Sequence, residues 1–330
     1  MIPRPPYPAR GGERRLMPLD VTTKGVYVIA PTPFHPNGGV DDGSVDRMTD
    51  FFLGAGCAGL TILGVMGEAP KLDGAESLAL SRRIIRRAGQ AGIIVGVTAS
   101  GFAAMRALAH GVMEAGAAGV MIAPPSHLRN DEAVVSYFHQ AVEAIGLGIP
   151  FVLQDYPQLF QVQMTPALIR RIVMDLPSCV MLKHEDWPGL EKISTLRRFQ
   201  TEGTLRPLSI LCGNGGMFLD FEMERGADGA MTGYAFPDML VELVRLGQAR
   251  ERERAHDLFD AHLPLIRYEL QPGLGLAVRK YVLMRRGVIG SDAQRRPGSA
   301  LSAQGREEVE YLLSRLARLD ERARLPAAPI

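Results

Sequence analysis

Lysine is scarce in this 330-residue chain: five residues (Lys24, Lys71, Lys183, Lys192, Lys280) stand against thirty-two arginines. Cysteine is scarcer still. Cys57, Cys179 and Cys212 each lie in or beside an apolar run. They form neither an even set nor a metal-ligand spacing, which argues against a disulfide framework or a zinc site and for core thiols in a reducing, cytoplasmic compartment. Charge of one sign is not in excess. The net charge of +1 provides no electrostatic footprint for nucleic acid. Long hydrophobic runs are missing too; glycine breaks the longest ones short of a membrane span. Residues 1–20 carry Pro3, Arg4, Pro5, Pro6, Pro8, Arg10, Arg14 and Arg15 but no apolar segment. They read as a flexible leader rather than a signal peptide.

What is present is the composition of a globular protein, 46% hydrophobic and 22% charged. At this length one large α/β domain with an appendage is favoured over several small ones. A short pattern organises it. Gly56-Cys-Ala-Gly59, Gly116-Ala-Ala-Gly119 and Gly226-Ala-Asp-Gly229 each stand where an amphipathic stretch ends and an apolar run begins. The first glycine suits the left-handed C-cap of a helix, and the second lets the chain turn into a strand. Continuously apolar strands of this kind are buried on both faces, as in a parallel sheet.

Eight such runs start near residues 26, 60, 93, 119, 150, 179, 208 and 229. Helical stretches alternate with them at 43–55, 74–90, 102–115, 131–146, 166–175, 189–201, 215–225 and 236–248, with Asp41 or Asp42 capping the first. Eight βα units over residues 21–248 predict a (β/α)8 TIM barrel. An open doubly wound sheet is the alternative, but no Gly-rich GxGxxG turn follows the first strand. Residues 249–322 read as a C-terminal extension of three helices, with Pro264 kinking or ending the first. Residues 323–330 are a tail.

In such a barrel the site forms at the C-terminal ends of the strands. The sixth strand is Cys179-Val-Met-Leu182 and runs into Lys183-His-Glu185. A lysine at the mouth of an apolar strand, in a chain that otherwise uses arginine, is a candidate Schiff-base nucleophile: a desolvated lysine presents a neutral amine, an arginine does not. The plain alternative is a lysine marking where a strand meets water. By strand periodicity Glu185 shares the inward face and is the candidate general acid/base, while His184 faces outward. The other strand ends offer Thr32, Gly64-Val-Met-Gly-Glu68, Thr98 and Ser100, Pro124-Pro-Ser-His127, Gln154-Asp155-Tyr156, Gly213-Asn-Gly-Gly216 and Thr232-Gly233-Tyr234. Glu68 reads first as a helix N-terminal or interface carboxylate.

From about Gly25 to Leu319 the chain resembles the Schiff-base aldolase superfamily of dihydrodipicolinate synthase and N-acetylneuraminate lyase. The resemblance rests on Gly64-x-x-Gly-Glu68, the strand-six Lys183 and Gly226-Ala-Asp-Gly229. It implies that Lys183 forms an iminium with a 2-keto acid, with no cofactor and no metal. The departures are specific. Val65 and Met66 stand where the synthase has hydroxyl residues, leaving the amides of Met66 and Gly67 to hold a substrate carboxylate. Gln154 takes the place of the strand-five tyrosine, and Tyr156 replaces it only if that strand is bulged. Pro125-Ser126 and Leu159 stand where the synthase has a tyrosine pair and an arginine. The Lys183-x-Glu185 pair, Gln154-Asp-x-Pro157, Gly229-Ala-Met-Thr-Gly233 with Phe236-Pro-Asp238, and Leu263-Pro-Leu-Ile266 are most similar to the branch of the 2-keto-3-deoxy-L-arabonate dehydratases.

The expected activity is therefore dehydration of a 2-keto-3-deoxy sugar acid. The expected roles are Lys183 as nucleophile, Glu185 as acid/base, Gln154 orienting the substrate or a water, and Met66 and Gly67 at the carboxylate. Thr98, Ser100, Thr232 and Gly233 are expected near substrate hydroxyls. A pyruvate-yielding retro-aldol is the first alternative, and a keto-acid-binding barrel without turnover the second. The resemblance also implies a homo-oligomer, dimer or tetramer.

Overall fold

The computed structural model describes residues 18–187 and 189–325. Eight parallel strands close into a barrel in sequence order. They are β1 (Gly25–Ile29), β2 (Gly59–Ile62), β3 (Gly92–Gly96), β4 (Gly119–Ile122), β5 (Phe151–Asp155), β6 (Cys179–His184), β7 (Ser209–Cys212) and β8 (Gly229–Ala230). The helices are α1 (Asp42–Gly54), α2 (Gly74–Ala88), α3 (Phe102–Ala115), α4 (Asp131–Ile145), α5 (Pro157–Phe160), α6 (Pro166–Asp175), α7 (Leu190–Thr201), α8 (Leu219–Glu224) and α9 (Pro237–Gln248). Then come α10 (Arg252–Glu269), α11 (Gly275–Arg285) and α12 (Ala303–Leu316). This is the (β/α)8 barrel with a C-terminal helical extension. No helix among the described residues is long and apolar enough to cross a membrane.

The glycine repeat does two different jobs. Gly56, Gly116 and Gly226 have φ of +91°, +101° and +93°, the left-handed cap expected of them. Their partners start strands where a neighbouring backbone crowds in. A Cβ on Gly59 would sit 2.0 Å from Gly92 O, and one on Gly229 2.0 Å from Gly25 O. The second glycine is thus a close-approach residue.

Inside the barrel Tyr27, Ile29, Ile94, Met121, Val152, Met181, Leu211 and Met231 form one apolar cluster. Leu19 joins it from the N-terminal end, where its N–H donates to Ala118 O at 2.9 Å. Residues 18–20, read from sequence as part of the leader, therefore include a buried plug; residues 1–17 lie outside the described residues, as do 326–330 of the tail.

One irregularity sets the phase of the site. Phe151 pairs with Cys179 but Val152 with Met181, so β6 carries one extra residue, Val180. Beyond this bulge Gln154 lies opposite Lys183 and Asp155 opposite His184. The bulge is in β6, not in β5 ahead of Tyr156.

The extension docks on the barrel's C-terminal mouth. Helix α11 is buried from Ala277 through Leu283 without a break. Its Arg279 reaches Gly233 O beyond β8, and its Lys280 reaches Glu68 beyond β2. Helix α10 contains Pro264 and runs five residues past it to Glu269, so the helix does not end at the proline. The carbonyl that Pro264 leaves unbonded belongs to exposed Asp260, while Leu265 and Ile266 are buried and hold the following turn in place.

Candidate active site

Strand alternation aims Gln154, Lys183 and Glu185 into the mouth and turns Asp155, His184 and Asp186 the other way. The structure brings the first three into direct contact. Glu185 Oε2 lies 2.9 Å from Lys183 Nζ and accepts from Gln154 Nε2 at 2.7 Å. All three side chains are nearly sealed, at 4%, 6% and 3% exposure for Lys183, Glu185 and Gln154. Glu185 stands one residue past β6, so no strand pairing fixes it. Its N–H donates to Asp155 O at 2.9 Å, and its Oε1 accepts from Asn214 N at 3.3 Å. The amine, the carboxylate and the amide form one hydrogen-bonded set in a low-dielectric mouth.

The loop after β7 completes this placement. A Cβ on Gly213 would lie 2.3 Å from Glu185 Cγ. Only glycine lets the carboxylate lie flat against that backbone. Gly213→Ala should push Glu185 off Lys183 and cost about 10²-fold in turnover, with the circular dichroism spectrum unchanged. Turnover within threefold of wild type would remove Gly213 from the account. The sequence marked Gly213 only as a loop residue, and its contact with Glu185 spans 28 positions.

The other candidates are arranged differently. Met66 packs against the barrel's inner cluster. Gly67 N–H already donates to Gly64 O at 3.0 Å, and Gly67 O accepts from Thr32 Oγ1 at 2.6 Å. The expected pair of carboxylate-binding amides is thus reduced, because the tight turn that follows Gly64 uses one of them itself. Thr98 and Ser100 are exposed, and Thr98 Oγ1 accepts from Ala123 N at 2.9 Å, tying β3 to β4. Thr232 Oγ1 is sealed from solvent without a hydrogen-bond partner. Gly233 is covered by the Arg279 guanidinium, which would lie 1.8 Å from a Cβ there. None of these four has a hydrogen bond to Lys183 among the described residues. Tyr156 is half-buried at the start of α5; burial raises its phenol pKa, Glu185 raises it further and Arg279 lowers it.

Glu68 is an interface carboxylate. Adopting φ of +56°, it accepts from Lys71 Nζ at 2.7 Å, Lys280 Nζ at 2.5 Å and Arg295 N at 3.1 Å. It pins the strand-two loop to the extension. His184 faces away from the mouth, fully buried, with Nε2 3.1 Å from Gly189 O.

Behind the mouth Glu222 on α8 is buried, its Oε2 unbonded. Burial pushes its carboxyl up to about 7, with His184 and Cys212 lowering it and Asp220 and Glu185 raising it. A carboxyl whose folded pKa exceeds its unfolded value favours the fold while protonated. That contribution is complete below the unfolded pKa near 4.5 and is lost as pH rises through about 7. Glu222→Gln should therefore raise the melting temperature at pH 8 and leave it nearly unchanged at pH 5. The reverse ordering in a pH series of thermal melts would contradict the burial argument.

Among the described residues no three His, Cys, Asp or Glu side chains converge as a metal set would. Comparisons with known proteins agree with one another on the kind of protein this is. The model of the dihydrodipicolinate synthetase family matches residues 22–316. The L-2-keto-3-deoxyarabonate dehydratase of Azospirillum brasilense is 29% identical over 297 residues, covering 89% of this chain and 94% of its own. A probable 2-dehydro-3-deoxy-D-pentonate aldolase of Escherichia coli is 24% identical, covering 85% of this chain and 97% of its own. The crystal structure of dihydrodipicolinate synthase from Rhodopseudomonas palustris is 65% identical, with a TM-score of 0.90 over 91% of this chain and 99% of its own.

Proposed function

This chain belongs to the dihydrodipicolinate synthetase family, and from that premise we propose that it dehydrates a 2-keto-3-deoxy sugar acid through an iminium on Lys183. The observation that carries the reading is the contact of Glu185 Oε2 with Lys183 Nζ at 2.9 Å and Gln154 Nε2 at 2.7 Å. Lys183 Nζ adds to the C2 keto carbon, and water leaves to give the iminium. Glu185 takes a proton from C3, and the C3–H electrons pass into the iminium as an enamine. The enamine expels the C4 hydroxyl, to which Glu185 returns the proton, so water departs. A second water adds at C2 and frees the amine. The net change is loss of one water. Gln154 holds Glu185 or the leaving water in line, and an amide of the strand-two turn, that of Met66, meets the carboxylate. The reading requires no cofactor. It extends to action as a homo-oligomer, dimer or tetramer, which sedimentation velocity measures directly.

Support comes from the Azospirillum relative, a dehydratase of such an acid, and from Gln154 and the Lys183-x-Glu185 pair in the positions described above; Val65 and Met66 depart from that branch as well as from the synthase. A second reading has its own support: the 65% identical Rhodopseudomonas protein is named a dihydrodipicolinate synthase. A retro-aldol shares the same iminium, breaking C3–C4 and passing the C4 hydroxyl proton to the base. The deciding experiment feeds purified protein 2-keto-3-deoxy-L-arabonate, and separately pyruvate with aspartate semialdehyde, and follows products by mass spectrometry and NMR. The expected result is a product lighter than the sugar acid by one water. Pyruvate plus an aldehyde would establish the aldolase, and consumption of the semialdehyde the synthase.

A further inference from the structure

Among the described residues four of the five lysines sit in ion pairs: Lys71 and Lys280 on Glu68, Lys183 on Glu185, and Lys192 between two aspartates. In a chain that uses arginine almost everywhere else, Lys192 asks for an explanation. It lies in the first turn of α7, outside the barrel wall, and is 8% exposed. Its Nζ is 2.7 Å from Asp155 Oδ2 and 2.7 Å from Asp186 Oδ2.

Those two aspartates are the outward neighbours of the inward-facing set. Asp155 follows Gln154, and its carbonyl accepts the Glu185 N–H. Asp186 follows Glu185. Between them lies His184, whose Nδ1 is 3.7 Å from Asp155 Oδ2 and makes no hydrogen bond. Asp155 is fully buried with Oδ1 unbonded, so Lys192 is the cation that compensates its charge. Glu185 stands beyond the last pair of β6, and its backbone is tied to β5 through its N–H on Asp155 O.

Resting on the iminium reading above, we infer that Lys192 is a positioning residue for the reaction. Its ammonium draws the ends of β5 and β6 together from behind, and so sets the distance between Gln154, Glu185 and Lys183 in front. It touches no substrate. A one-ångström loosening of such a set is enough to cost about 10²-fold. Lysine suits the place because one compact ammonium must meet two carboxylates approaching from different elements, where a planar guanidinium prefers to meet one side-on.

The test is the first-order rate constant for reductive trapping of Lys183 by pyruvate and sodium borohydride, measured by intact mass against time. The full-length wild type is compared with Lys192→Met, Lys192→Arg and Asp186→Asn. Asp186→Asn leaves Asp155 paired and guards against a variant that fails to fold. A purely structural lysine would lower the trapped fraction or the melting temperature and leave the rate constant of the folded molecules alone. The expected result is a rate constant at least tenfold lower for Lys192→Met, a smaller loss for Asp186→Asn, and partial recovery in Lys192→Arg. Wild-type rate constants in all three variants would overturn the positioning role while leaving Lys183 as the nucleophile. No adduct in the wild type itself would take down both.

Discussion

Glu185→Gln should lower turnover of the sugar acid about 10²- to 10⁴-fold, the range for loss of a general acid/base, while a pyruvyl adduct on Lys183 is still trapped, at a lower rate. The two halves of that expectation come from different atoms. Nζ of Lys183 is the nucleophile and survives the substitution. The proton that must leave C3 and the one that must reach the departing hydroxyl are assigned to Glu185 Oε2, 2.9 Å from that amine. The amide of glutamine fills the same space and still meets Gln154, but it cannot carry a proton between the two positions. Steady-state kinetics alongside borohydride trapping separates the steps. If turnover stays within threefold of wild type, Glu185 is not the acid/base. If turnover and trapping vanish together, its role is in forming the iminium rather than in elimination.

The second large effect is on stability. Glu68→Gln should cost about 3–5 kcal/mol, the range for breaking a buried pair and leaving its charge uncompensated. Lys280 is fully buried against this carboxylate. Burial pulls the lysine's pKa down and Glu68 restores part of it. With the carboxylate gone, two ammonium groups face one another in the joint between the strand-two loop and α11. Lys280→Met should cost less, because Lys71 and the Arg295 N–H still satisfy Glu68. Combining Glu68→Gln with Lys280→Met should recover part of the loss of Glu68→Gln alone. Urea unfolding of the three variants measures this directly. A Glu68→Gln protein as stable as wild type would show that the joint is held by apolar contacts alone.

The barrel was legible in the sequence because its signals are local. Eight apolar runs, the helix-capping Gly56, Gly116 and Gly226, and the jump from Leu182 to Lys183 each lie within a few residues. Strand periodicity alone aimed Glu185 inward and His184 outward. What the sequence hid is carried by distant pairs. Arg279 crosses 46 positions to cover Gly233. Thr232 looked like a hydroxyl at a strand end, but its Oγ1 is sealed from solvent. The Gly67 amide was spent on its own turn. The extra residue at Val180 leaves no mark in the sequence, since a bulge in an apolar strand is spelled with the same residues as a straight one. Lys192 did leave one, the scarcity of lysine, which pointed first to Lys183 and applies equally to the cation behind it.

The central claim is that Lys183 forms the covalent bond to a 2-keto acid. It is tested most directly by incubating the protein with 2-keto-3-deoxy-L-arabonate and sodium borohydride, followed by intact mass and peptide mapping. The account predicts one adduct per chain, on Lys183, with the mass of the dehydrated acid. An adduct on Lys24, Lys71, Lys192 or Lys280 instead, or none there and none with pyruvate, would contradict it.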